Sequence, residues 1–157
     1  MPERKASGAV KQPKHLFVMN NWFFYVPYGY FAKTRVKTLS AQVSWVLIYF
    51  VPLLLTLFAF QGEIQILDVL YLLLGTTAIY ALYEIGYIDN DTTTVQLETE
   101  PTHRLDKSQT ALVQEQQLWI FGTRIVTAAL MLILCLAAPG FSWLLIGIVV
   151  RVLTFYL

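Results

Sequence analysis

Acidic side chains stand where a long apolar run would leave a membrane. Glu84, Asp91 and Glu98 are spaced seven residues apart, so a continuous helix would carry all three on one stripe. Among and after them come Asp89, Asn90, Glu100, His103, Arg104, Asp106, Lys107 and Glu115. Acids come first and bases follow. That order suits a Mg²⁺-bound anion, with carboxylates holding the hard cation and basic groups holding a phosphate. Asn90 would add a carbonyl oxygen. Glu84 lies inside the apolar run, about one turn before its exit. A carboxylate there must face the bundle interior and find a partner, and Arg124 is the candidate. The plainer reading of Asp91 and Glu98 is a solvated loop whose acids cap helices or pair with Arg104 and Lys107.

The elements that must position these groups are membrane spans. Of 157 residues, 57% are hydrophobic and 13% charged, where a soluble domain carries about 25% charge. Net charge is +1, which gives no bias toward nucleic acid. Four apolar segments, Val43–Phe60, Ile64–Ile88, Leu118–Ala138 and Phe141–Leu157, predict an all-α polytopic bundle of four spans. Basic residues set its orientation. Residues 1–42 hold Arg4, Lys5, Lys11, Lys14, Lys33, Arg35 and Lys37, and the loop 89–117 holds Arg104 and Lys107, whereas the two other turns hold none. This places the N-terminus and the loop 89–117 in the cytoplasm. Arg124 and Arg151 then fall near cytoplasmic helix ends, where they can snorkel.

The segment Leu16–Ala32 is uncharged and rich in aromatic rings, but Asn20, Asn21, Pro27 and Gly29 interrupt it. It is expected to lie in the membrane interface, flanked by basic residues that meet anionic lipid. The chain therefore divides into a basic and aromatic part, 1–42, and a four-helix part, 43–157. Pro52 is expected to kink the first span. Gly75 and Gly86 are expected to let helices approach closely. Cys135, the sole cysteine, excludes an intrachain disulfide. Neither a phosphate-cradling glycine loop nor a nucleophile-and-base set is present.

The run Asn90-Asp91-x-x-Thr94-x-x-x-Glu98 resembles the first aspartate-rich motif, N-D-x-x-D-x-x-x-D, of the UbiA superfamily of intramembrane prenyltransferases. In that family the motif follows the second span on the cytoplasmic side, as it does here. Pro101-Thr102-His103-Arg104-Leu105 is similar to the basic segment that follows, which commonly ends in Arg-Pro. The resemblance implies a helical bundle that binds a polyprenyl diphosphate through Mg²⁺ and transfers the prenyl group to an acceptor. It makes Asn90, Asp91 and Glu98 metal or diphosphate ligands, and sets Arg104, with Lys107 and Glu84 lining the same site, against the diphosphate. Thr94 replaces the motif's central aspartate, Leu105 replaces the proline, and the family's second aspartate-rich loop has no counterpart. The match covers about half of such an enzyme. The expectation is thus a piece of a longer protein, or a small one whose copies pair to complete a bundle. The alternative function is a non-catalytic membrane subunit for lipid binding, transport or assembly.

Overall fold

The computed structural model describes residues 21–137, and every regular element among them is helical. A 3-10 turn, Trp22–Phe24, precedes a short helix, α1 (Gly29–Thr34). Helix α2 covers 39–61 and is continuous through a π-helical turn, Val46–Phe50. Helix α3 is Ile66–Thr92, a 3-10 turn follows at Thr94–Leu97, and α4 is Lys107–Leu136. Three stretches, Leu39–Ala59, Ile66–Leu97 and Lys107–Leu136, are long and apolar enough to cross a membrane. They mark an integral membrane protein. The expected fourth span, Phe141–Leu157, lies outside the described residues, as do residues 1–20.

Local sequence explains each boundary. Thr38 caps α2, its hydroxyl accepting from Ala41 N–H at 3.2 Å. Pro52 has no N–H to offer the carbonyl four residues back. The helix widens just before it, and Val51 N–H donates to the Val46 carbonyl instead. The expected disturbance at Pro52 thus takes the form of a π turn. Gly62, at φ 76°, ends α2 in the left-handed conformation. Gln65 and Asp68 form a reciprocal capping box on α3. At the other end of α3, Thr92 hydroxyl turns back to the Ile88 carbonyl at 2.7 Å. The run Thr92-Thr93-Thr94 stops the helix. Asp106 and Gln109 start α4 with a second capping box.

The polar connection is consequently shorter than the loop 89–117 read from the sequence. Helix α3 continues to Thr92 and α4 already begins at Lys107. Helices α3 and α4 pack as an antiparallel hairpin. Ala78, Ala81 and Ala128 are buried together at its crossing, small residues that let the two backbones approach. Gly75 and Gly86 do not serve there: a Cβ on either would meet no described atom within 4 Å. Helix α2 rests on the hairpin through Leu53 and Leu72. Outward-facing positions such as Leu55, Leu70, Leu82, Val126 and Leu130 are exposed and apolar, as a lipid-facing surface requires.

Residues 21–34 are too short in helix to cross a bilayer. They fold against the α3–α4 end of the hairpin. Phe23, Phe24 and Tyr30 are buried with Ile88, Leu105, Leu112, Val113 and Ile120. The rings of Tyr28 and Phe31 enter a second aromatic group with Trp45 and Tyr80, whose centroids lie 4.9 to 6.1 Å apart. Gly29 is required where the turn doubles back, since a Cβ there would stand 2.8 Å from the Phe23 carbonyl oxygen.

Candidate functional site: two buried carboxylates on one helix face

Glu84 and Asp91 are two turns apart on α3 and both side chains are fully buried. Each is consumed by partners. Glu84 forms an ion pair with Arg124 of α4, whose side chain is also fully buried. The remaining capacity of the carboxylate goes to the aromatic segment. Its Oε2 accepts from Tyr28 N–H at 2.9 Å and its Oε1 from Phe31 N–H at 2.7 Å. These are orphan donors at the start of α1. Arg124 serves the opposite polarity. Its Nη2 donates to the carbonyls of Phe24 at 3.1 Å, Phe23 at 3.3 Å and Val26 at 3.4 Å. Arg124 therefore turns inward instead of snorkelling; Arg151 lies outside the described residues. The two charges hold the polar backbone of two short helical turns where it packs against apolar helices. Tyr28, the one non-glycine at positive φ among the described residues (62°), sits at this junction.

Asp91 collects a different set. Tyr30 hydroxyl donates to Oδ2 at 2.7 Å. Arg35 Nη2 lies 3.1 Å from both oxygens, and Arg104 Nη1 lies 3.0 Å from Oδ1. Arg35 also stands 4.4 Å over the Tyr87 ring, a cation–π contact. Burial, and next the hydrogen bond to Asp91, push the Tyr30 phenol well above its ordinary value, so it remains a donor. Two guanidiniums on one carboxylate leave an excess positive charge. About a fifth of the Arg35 side chain and somewhat more of Arg104 reach solvent. Arg35 Nε is buried with no hydrogen-bond partner among the described residues. Lys33 and Lys37 are exposed beside it.

Two cavities flank this cluster. One, of about 780 Å³, is lined by Asp91, Gln96, His103, Asp106, Lys107 and Gln114 among others. The other is an apolar groove of about 520 Å³ between α1, α2 and α3, lined by Tyr28, Phe31, Ala32, Val36, Trp45, Phe50 and Leu73 together with Gln42, Thr76 and Thr77. Val36 and Ala32 bring its wall within one and three residues of Arg35.

The sequence-derived candidates are brought together only in part. Asp91 and Arg104 meet directly, which is the pairing that the plainer reading offered. Lys107 opens α4 at the rim of the polar cavity. Glu84 lines neither cavity. Asn90 is half-buried on α3, and Glu98 is exposed on extended backbone after the 3-10 turn. The three-carboxyl stripe ends with the helix at Thr92, so Glu98 does not continue it. Magnesium, implied by the resemblance, needs oxygens free to coordinate it. Both oxygens of Asp91 already accept from arginines, and among the described residues no three His, Cys, Asp or Glu side chains gather. Arg35 and Tyr30 were missed in the sequence. The available signal was charge balance: two acids entering an apolar run need two cations, and Arg35 is among the basic residues that lead into the first span.

No family model, curated protein or solved structure matches this chain.

Proposed function

We propose that this is a membrane protein that binds a polyprenyl diphosphate, as the UbiA resemblance implies. Its diphosphate is held directly by Arg35 and Arg104, and its isoprenoid chain lies in the groove beside α1. The observation that carries the reading is the convergence of two partly exposed guanidiniums on one buried carboxylate, with an apolar groove whose wall includes Val36, the residue after Arg35. Asp91 orients the two arginines, and their outward donors meet phosphate oxygens in the bidentate manner that guanidinium favours. Lys33, Lys37 and Lys107 add positive potential for the approach of the headgroup. The basic-residue bias supports a cytoplasmic location for the N-terminus and the α3–α4 connection.

The non-catalytic reading is favoured over prenyl transfer by this chain, because Asp91 is engaged by arginines. The chain binds and presents the lipid, and four spans or paired copies would enclose it.

Calorimetric titration of the detergent-solubilised protein with farnesyl diphosphate, with and without Mg²⁺, tests this. Losing one charge-assisted contact costs about 1.5–3 kcal/mol, roughly 10- to 150-fold in affinity. Arg35→Ala and Arg104→Ala should each weaken binding by that order, and omission of Mg²⁺ should not. Asp91→Asn should weaken binding by no more than that order, because the guanidiniums lose the carboxylate that orients them but keep their charge. Binding that needs Mg²⁺ and vanishes in Asp91→Asn would replace this reading with a metal-bridged site. Equal binding of phosphatidylglycerol would make the ligand an anionic lipid of the bilayer.

A further inference from the structure

Glu84 and Arg124 do not reach the proposed ligand, yet they are the most completely buried charges among the described residues. An ion pair whose only role is to neutralise itself does not need five backbone partners. All five lie in one segment: Tyr28 N–H and Phe31 N–H on the carboxylate, and the Phe23, Phe24 and Val26 carbonyls on the guanidinium. That segment delivers Tyr30 and Arg35 to Asp91.

We infer that Glu84 and Arg124 are positioning residues for the Arg35–Asp91–Arg104 anion site, acting through residues 21–35. This rests on the anion-binding reading given above. The connection is short and stiff. Phe31 N–H is fixed on Glu84, and the Phe31 carbonyl accepts from Arg35 N–H at 2.8 Å. Tyr30, the neighbour of Phe31, reaches Asp91. Helix α1 is thus pinned to α3 at two points that are seven residues, about 10 Å, apart along it. Release of the Glu84 point leaves the Arg35 side chain held by the Tyr87 ring and by Asp91, and the Asp91 contact is one that the ligand must share. A displacement of about 1 Å in such a group is enough to weaken a site strongly. Gly29 is part of the same linkage, because a methyl group there collides with the Phe23 backbone and shifts the segment without altering any charge.

A double-mutant cycle in farnesyl diphosphate binding tests this. Glu84→Gln and Arg35→Ala should each weaken binding at least tenfold, and the double variant should be no weaker than about the worse of the two. Gly29→Ala should behave as Glu84→Gln does. Cys135→Ala, at the other end of the α3–α4 hairpin beside the Tyr71 carbonyl, should lower thermal stability and leave affinity within twofold. If Glu84→Gln does not accumulate, Arg124→Lys takes its place in the cycle. Independent, multiplicative losses from Glu84→Gln and Arg35→Ala would overturn the positioning role and leave the anion site standing. So would a Cys135→Ala variant that loses affinity as Glu84→Gln does, since the effect would then follow stability. An Arg35→Ala variant with unchanged affinity would remove the anion site, and the positioning role with it.

Discussion

Replacing Arg124 by methionine leaves the Glu84 carboxylate buried without its counter-charge, and breaking such a pair costs about 3–5 kcal/mol. The informative variant is the double replacement, Glu84→Gln with Arg124→Met. A buried pair that serves only itself can be exchanged for neutral groups almost without loss. This pair also serves the backbone. The amide introduced by Glu84→Gln keeps one acceptor oxygen, so one N–H of Tyr28 or Phe31 loses its partner, and the carbonyls of Phe23 and Phe24 lose theirs, while Val26 keeps Gly29 N–H. Three hydrogen bonds at about 0.6–1 kcal/mol each leave the double variant about 2–3 kcal/mol below the parent. Unfolding by sodium dodecyl sulfate in mixed micelles, followed by tryptophan fluorescence, reads the difference, with both single variants beside it. A double variant within about 0.5 kcal/mol of the parent would refute the reasoning, because the pair would then behave as a self-contained one.

Three further outcomes follow from the same contacts. Gly29→Ala should destabilise by about 1–3 kcal/mol through overpacking, while alanine at Gly75, Gly86 or Gly122, each with open space around it, should be neutral or stabilise by up to about 1 kcal/mol; the same detergent unfolding compares them. Tyr30→Phe removes one hydrogen bond to the Asp91 carboxylate and should cost about 1.5–3 kcal/mol in the same detergent unfolding, with helicity by circular dichroism unchanged. Asp106 caps α4 through Gln109 N–H at 2.8 Å and accepts from the Ser108 hydroxyl, and these bonds, the Ser108 one foremost, hold its carboxyl below its ordinary value of 3.8. Because the folded value is the lower one, the cap contributes fully above pH 3.8 and is lost as pH falls through the folded value. Asp106→Ala should cost about 1 kcal/mol at neutral pH and abolish that part of the acid dependence in a pH series of unfolding curves.

Much of the helical layout was legible, because it follows from apolar run lengths and from charges that a membrane does not tolerate alone. Glu84 pointed to Arg124 for that reason. The extent of the polar loop was misjudged, although its signals were present. Asp106 and Gln109 spell a capping box, and the residues after Lys107 are good helix formers. The Thr92–Thr94 run was a visible stop for α3. The partners of Asp91 were harder to read. Arg104 is thirteen residues away in the sequence, but Arg35 is 56 away. Periodicity carries no information across that distance. The aromatic segment is harder to read for a chemical reason: its rings resemble those of an interfacial belt, while the groups that meet Glu84 and Arg124 are its own backbone N–H and C=O, which no residue type announces.

The anchoring of residues 21–34 also fixes an order of events during synthesis. Their backbone partners arrive late, Glu84 53 and 56 residues after Phe31 and Tyr28, and Arg124 98 to 101 residues after Val26, Phe24 and Phe23. A segment with unpaired N–H and C=O groups cannot settle among apolar helices. The first-made part of this region must therefore wait in contact with water until the last described helix has emerged. Assembly here runs from the C-terminal hairpin back to the N-terminal turn, against the direction of translation.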